Sequence, residues 1–245
     1  MKSGRWLAID TATDVASVAV GVPPHAEAGS FIRGARRHAA EIVGLVDYSF
    51  TQTGLRPGDL EGIVIADGPG SFTGLRIGWA AAKGFAQQAA LPLCAVPSLM
   101  AAAATVAAQL GPVPIAACYD ALRGQVYGAL YVVHPTAVET LTPPAVMSLA
   151  EFARTAPARP AAVVGDGATR YADEVRRWSG TAPVPLERLT SNATTLLSLF
   201  TVPGAARPLD DPLGAEPLYG RPAEAQAQWE ARHGHPLRDS PRPAG

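Results

Sequence analysis

The 245-residue sequence is poor in cysteine, in lysine, in aromatic side chains (7%) and in charge (17%). Its two cysteines, Cys94 and Cys118, stand in apolar stretches with no CxxC or histidine spacing around them, which argues against a disulfide framework and a zinc site. Lysine occurs only at Lys2 and Lys83, and the chain carries 20 basic and 21 acidic residues for a net charge of −1. A chain so balanced has no overall field with which to hold nucleic acid by counterion release, so any contact with RNA has to be local or supplied by a partner. No run of about 18 apolar residues occurs. The nearest, 91–110, is broken by Pro92, Pro97, Ser98 and Gln109. The N-terminus, MKSGRWLAIDTATD, meets an acid within its first ten residues and lacks the apolar stretch of a signal peptide. The expectation is a soluble, cytoplasmic protein with no membrane contact.

What is present is core material and turns. Hydrophobic residues make up 48% of the chain, enough for one large or two small domains. Glycine (24) and proline (23) together supply about 19%, against a usual figure of about 12%. The apolar patterning predicts strands at 6–10 and 17–20, a weak one near Phe31, and others at 62–66, 93–96, 115–120, 125–133 and 161–164. A period near 3.6 predicts helices from His38 to Phe50 with Gly54 as the terminal cap, over 73–90, and over 98–110. Ser148 and Glu151 have capping-box spacing and open a short helix, another is expected over 169–178, and Asn192 caps one running to Phe200. A further helix is expected around Trp229. The linker at 111–114 precedes a strand ending on Asp120 and a hairpin, which repeats the pattern of the strand ending on Asp10 and its hairpin. Strands alternating with helices imply an α/β fold with a mixed sheet in each half. The divisions are 1–110, 111–205, and a Pro-rich segment, 206–245, that packs back on the body and frays.

The loop Asp67-Gly68-Pro69-Gly70-Ser71-Phe72-Thr73-Gly74 lies between a buried strand and a helix, where free N–H groups can hold an anion. It matches no specific phosphate template: no Gly-Lys-Ser/Thr follows, Thr73 stands at the third glycine of a dinucleotide fingerprint, and Gly70 directly precedes Ser71, unlike a nucleophile elbow. A nucleotide reading of Asp10, Thr11, Gly70, Ser71 and Asp120 therefore stands beside the plainer one of tight, self-satisfied turns. Asp10 and Asp120 are candidates for two carboxylates facing across a cleft. His38 lacks a metal-binding companion, because position i+4 is Ile42. Gly74 and Gly78 sit inside a helix at a cost of roughly 1 kcal/mol each relative to Ala, so something approaches that face closely. That something is either the protein's own sheet or a partner helix, and Trp79, if exposed, marks the second.

The segments LAIDTATDVASVAV, RRHAAEIVGLVD, IVIADGPGSFTGLRIGWAAAKGFA, LPLCAVPSLMAAA, YDALRGQVYGALY and AEPLYGRP occur in an order that resembles the TsaB (YeaZ) family. The likeness is strong over 6–133, weak over 134–214, and strong again over 215–235. It implies two actin-like (ASKHA, RNase H-like) subdomains with mixed sheets flanked by helices. It also implies a non-catalytic scaffold in the making of N6-threonylcarbamoyladenosine in tRNA, pairing with the catalytic paralogue TsaD and admitting the ATPase TsaE. TsaD-like proteins hold metal with two His four apart on the helix matching that of His38, so Ile42 marks a subunit without the metal site. The resemblance assigns the partner interface to His38, Glu41, Ile42, Leu45, Gly74, Arg76, Gly78 and Trp79. It assigns no intrinsic cofactor, leaves ATP or ADP at the joint open, and implies a homodimer when the chain is alone, with tRNA reached only through the complex. Trp79 departs from the family's smaller aliphatic residue, and Gly124-Gln125 from its acidic pair after Arg123. The alternative from Asp10, Thr11 and Asp120 is a small-molecule kinase or ATPase of the same fold.

Overall fold

The computed structural model describes residues 4–34, 37–189, 192–220 and 232–233. The helix expected around Trp229 lies outside them. Strands β1 (Arg5–Asp10), β2 (Val15–Gly21) and β3 (Ala28–Arg33) form an antiparallel meander. Helix α1 (His38–Thr53) then leads to β4 (Leu60–Ala66), parallel to β1. Helix α2 (Phe72–Ala89) leads to β5 (Leu93–Val96), parallel to β4. Helix α3 (Ser98–Leu110) precedes the second sheet, in which β6 (Pro114–Asp120), β7 (Val126–Val133) and β8 (Val138–Met147) are again an antiparallel meander. Helix α4 (Leu149–Thr155) leads to β9 (Ala162–Val164), parallel to β6, followed by α5 (Asp166–Arg170), α6 (Ala172–Ser179) and α7 (Asn192–Phe200). The short β10 (Arg207–Pro208) returns to pair with β5, giving sheet orders β10-β5-β4-β1-β2-β3 and β8-β7-β6-β9.

Side-chain alternation sets the layers. In β1, Leu7 and Ile9 point toward α1 and α2, while Trp6 and Ala8 point to the middle of the molecule. In β6, Ala116 and Cys118 face α4, α5 and α6, while Ile115, Ala117 and Tyr119 face the middle. The middle is filled by α3 and α7. Helix α3 is buried nearly all round because it has almost no polar residues to offer solvent, and it packs on β6 and β7. Helix α7 packs on β1, β2 and β4, and Trp6 meets Phe200 at 4.2 Å between ring centres. Five layers result: α1 and α2, the first sheet, α3 and α7, the second sheet, and the short helices α4 to α6.

Besides the short β10, two elements differ from the expectation. Strand β8 is not evident in the sequence, because it is an exposed edge interrupted by Pro143 and Pro144, and the structure accommodates both prolines where the register with β7 slips. The helix expected over 169–178 is two short helices that break at Tyr171, the first opening earlier, at Asp166. Among the described residues no helix is long and apolar enough to cross a membrane.

Candidate functional site

Helix α1 is amphipathic: His38, Ile42, Leu45, Val46, Ser49 and Phe50 are buried. Gly54 closes it in the left-handed conformation, its N–H bonded to the Phe50 carbonyl. Ser71 opens α2 by accepting a hydrogen bond from the Gly74 N–H at 3.1 Å. Its buried stripe is Gly74, Leu75, Gly78, Trp79, Ala82 and Ala86.

Six of the residues expected to meet a partner therefore belong to the core of the chain itself. Ile42 and Leu45 pack on the first sheet, and His38 is buried with its Nε2 3.2 Å from the Asp14 carbonyl oxygen. Trp79 is only 2% exposed and donates its Nε1–H to the Ala66 carbonyl at 3.1 Å. The helical glycines have an internal reason. A Cβ on Gly74 would collide with the Thr11 carbonyl oxygen and one on Gly78 with the Thr11 hydroxyl, which itself donates to the Gly74 carbonyl at 2.7 Å. Their absent side chains let α2 lie against the turn after β1. Of the expected interface residues only Glu41, half-buried, and Arg76, exposed, remain at the surface.

The outward faces of these helices carry a different set. On α1, Val43 is 60% and Tyr48 54% exposed, with exposed Gly44 and Asp47 beside them. On α2, Ala80 and Gly84 are exposed and Ile77 and Ala81 half-buried. A Cβ built on Gly44 or Gly84 meets nothing within 4 Å, so neither glycine has a packing reason within the described residues. At the C-terminal end of this face Val43, Asp47, Phe50, Leu55, Arg56 and Phe85 help line an open groove of about 400 Å³. The sequence signal that could have separated the two sets was the wheel itself: the strongest apolar stripe of a surface helix covers its own sheet, leaving the weaker one outside.

The residues grouped as nucleotide candidates are satisfied internally. Asp10 is buried, accepts the Ala12 N–H at 2.8 Å and neighbours Asn192. Burial pushes its carboxyl up, against the hydrogen bonds from Ala12 and Asn192 and the nearby His38. Gly70 lies flush against the Ala12 carbonyl, to which Ser71 donates its N–H at 2.7 Å. Asp120 accepts from the Leu122 N–H at 3.0 Å and pairs with Arg170 at 3.2 Å. Asp10 and Asp120 thus share no partner among the described contacts. Burial also raises the Asp166 carboxyl, despite bonds from the Asp120 and Gly167 N–H groups. Among the described residues no group of three or more His, Cys, Asp or Glu is placed to hold a metal ion.

The segment that begins with β10 holds the loop before α2. Arg207 pairs with the buried Asp67 at 2.8 Å, and the Leu218 N–H bonds to the Asp67 carbonyl at 2.7 Å. Burial raises the Asp67 carboxyl, partly offset by Arg207. Tyr219 stacks on Phe72 at 4.7 Å and accepts from Arg76 Nε at 3.2 Å.

Residues 32–172 match the family model described as TsaD, tRNA N6-adenosine threonylcarbamoyltransferase. The chain is 31% identical over 196 residues to the tRNA threonylcarbamoyladenosine biosynthesis protein TsaB of Bacillus subtilis, covering 79% of this chain and 84% of that one. It is 39% identical over 127 residues to the protein of the same name from Escherichia coli, covering 52% of this chain and only about half, 54%, of that one. Among solved structures, YeaZ from Pseudomonas aeruginosa superimposes with a TM-score of 0.66 at 26% identity, over 80% of this chain and 90% of that one.

Proposed function

The chain belongs to the TsaB (YeaZ) family, and from that premise we propose that it acts in tRNA threonylcarbamoyladenosine biosynthesis as a non-catalytic docking subunit. Its partner in this reading is a TsaD-type transferase, and TsaE joins the assembled pair. The observation that carries the reading is the outward face of α1 and α2, where Gly44 and Gly84 expose backbone beside the bare Val43 and Tyr48. Interior helix glycines cost roughly 1 kcal/mol each, and closely packed helices in a complex give that cost a use. The side chain four residues after His38 supports the non-catalytic part: Ile42 is packed into the apolar core, where a second ligand nitrogen would have to be.

The kinase or ATPase alternative has less support, since the Thr11 hydroxyl donates to the Gly74 carbonyl and Ser71 is bonded to the Gly74 N–H and the Ala12 carbonyl. A nucleotide at the joint between subunits would have to be held by groups beyond these. Mixing the chain with TsaD and TsaE of its own organism should give co-elution on size exclusion and a gain in threonylcarbamoyladenosine on tRNA. Three separate peaks with no gain, or transfer by this chain alone, would overturn the reading.

A further inference from the structure

Four of the seven large hydrophobic side chains exposed among the described residues lie on either side of α2: Val43 and Tyr48 on α1, and Leu213 and Leu218 on the segment after β10. Leu213 is 52% and Leu218 50% exposed, yet the backbone beneath them is fixed. Lys83 of α2 donates its ammonium to the Leu213 carbonyl at 2.9 Å and faces Glu216 at 3.8 Å. The carbonyl of Leu218 lies flush against Gly68, where a Cβ would collide with it, and its N–H is bonded to Asp67. These leucines are presented on a rigid base, which is how apolar groups are held for contact with another molecule.

On α2 the stripe that meets this strap (Phe72, Arg76, Lys83) borders the stripe that faces out (Ala80, Gly84), because residues three or four apart share a face. The surface is therefore a floor of small residues flanked by α1, which carries the exposed Val43 and Tyr48, on one side and by the strap on the other, a shape that suits the close approach of a helix. We propose that the strap, through Leu213 and Leu218, is a third element of the docking surface for the transferase-family partner. This rests on the docking reading above and adds to it. The occupant is argued from the extent of the family match: residues 32–172 include α1 and α2, so a transferase-family chain brings the counterparts of both helices to a paired contact. The strap lies outside that match.

The test compares two full-length double variants, L213E/L218E and V43E/Y48E, each checked for unchanged circular dichroism and melting temperature, in titrations against the transferase from the same organism. Both should weaken binding by about tenfold or more, the effect of losing anchor side chains. If V43E/Y48E loses binding while L213E/L218E stays within about twofold, the strap inference fails and the docking reading stands. If neither variant changes a measurable affinity, or wild type does not bind, the docking reading itself fails. Should the strap variant alter only self-association of the chain, the leucines serve a second copy and the proposal is overturned.

Discussion

Gly78 faces the Thr11 hydroxyl and Gly84 faces open space, so the same substitution acts in opposite directions at the two positions. Gly78→Ala forces the Thr11 turn away from α2 and should cost about 1–3 kcal/mol of folding stability, as overpacking does. Gly84→Ala removes only backbone freedom and should add about 0.5–1 kcal/mol, while weakening the proposed complex. Urea unfolding of the two variants reads the first pair of effects directly. A destabilised Gly84→Ala would mean that its surroundings are less open than the structure shows. Asp10, Asp67 and Asp166 carry a pH prediction, because burial raises all three carboxyls above the ordinary value of 3.8. The folded chain then takes up protons at a higher pH than the unfolded chain. The stability these groups contribute is complete below the ordinary value and is lost as pH rises through the raised native values. Asp10→Asn keeps an acceptor for the Ala12 N–H and discards the charge, so it should stabilise the protein at neutral pH and flatten the fall in stability as pH rises above the ordinary carboxylate value. A steeper fall in the variant contradicts this account.

Among the elements, those buried on both faces were the most legible, and the exposed edge strand β8 was not. The runs that became β1, β4 and β6 are apolar without interruption because each is covered by helices on both sides, and α3 announced itself because a helix without a polar face has nowhere to be but inside. Strand β8 gave no such signal, since backbone pairing along an exposed edge needs little from its side chains. The resemblance assigned a partner interface to α1 and α2, but residues it named there, Ile42, Leu45 and Trp79 among them, bind the chain to itself. The Pro-rich segment was expected to pack back on the body, but where it does so was not legible: its contacts, such as Arg207 with Asp67, join residues 140 positions apart and follow no local period. At this scale, the start of α2 depends on its cap. Ser71→Ala leaves the Gly74 N–H without its side-chain acceptor and should cost about 1 kcal/mol. Ser71→Asp should largely restore it, whereas equal losses in both variants would show that the hydroxyl serves something other than capping.

At the scale of the molecule, the two halves exchange support through the layer between them. Chain order places α3 with the first half, yet its buried face lies on β6 and β7; α7 comes late and covers β1, β2 and β4. One apolar cluster accordingly holds Ala8 and Val64 of the first sheet together with Ile115 and Tyr131 of the second. Polar contacts bridge the same layer: the Thr105 hydroxyl of α3 donates to Asn192 of α7 at 3.0 Å, and the Tyr119 hydroxyl of β6 donates to the Ser98 carbonyl at 3.3 Å. Neither half can close its core alone, since removing one strips the inner helix from the other's sheet. The intact protein should therefore unfold in one cooperative transition, with tryptophan fluorescence and far-ultraviolet circular dichroism giving coincident curves in urea. A fragment ending at residue 110 should lack fixed tertiary structure. It would leave the apolar α3 without β6 and β7, and Trp6 without Phe200. Two separated transitions, or a 1–110 fragment with dispersed amide resonances and cooperative melting, would show instead that the first half stands by itself and that the helix exchange only joins two finished domains.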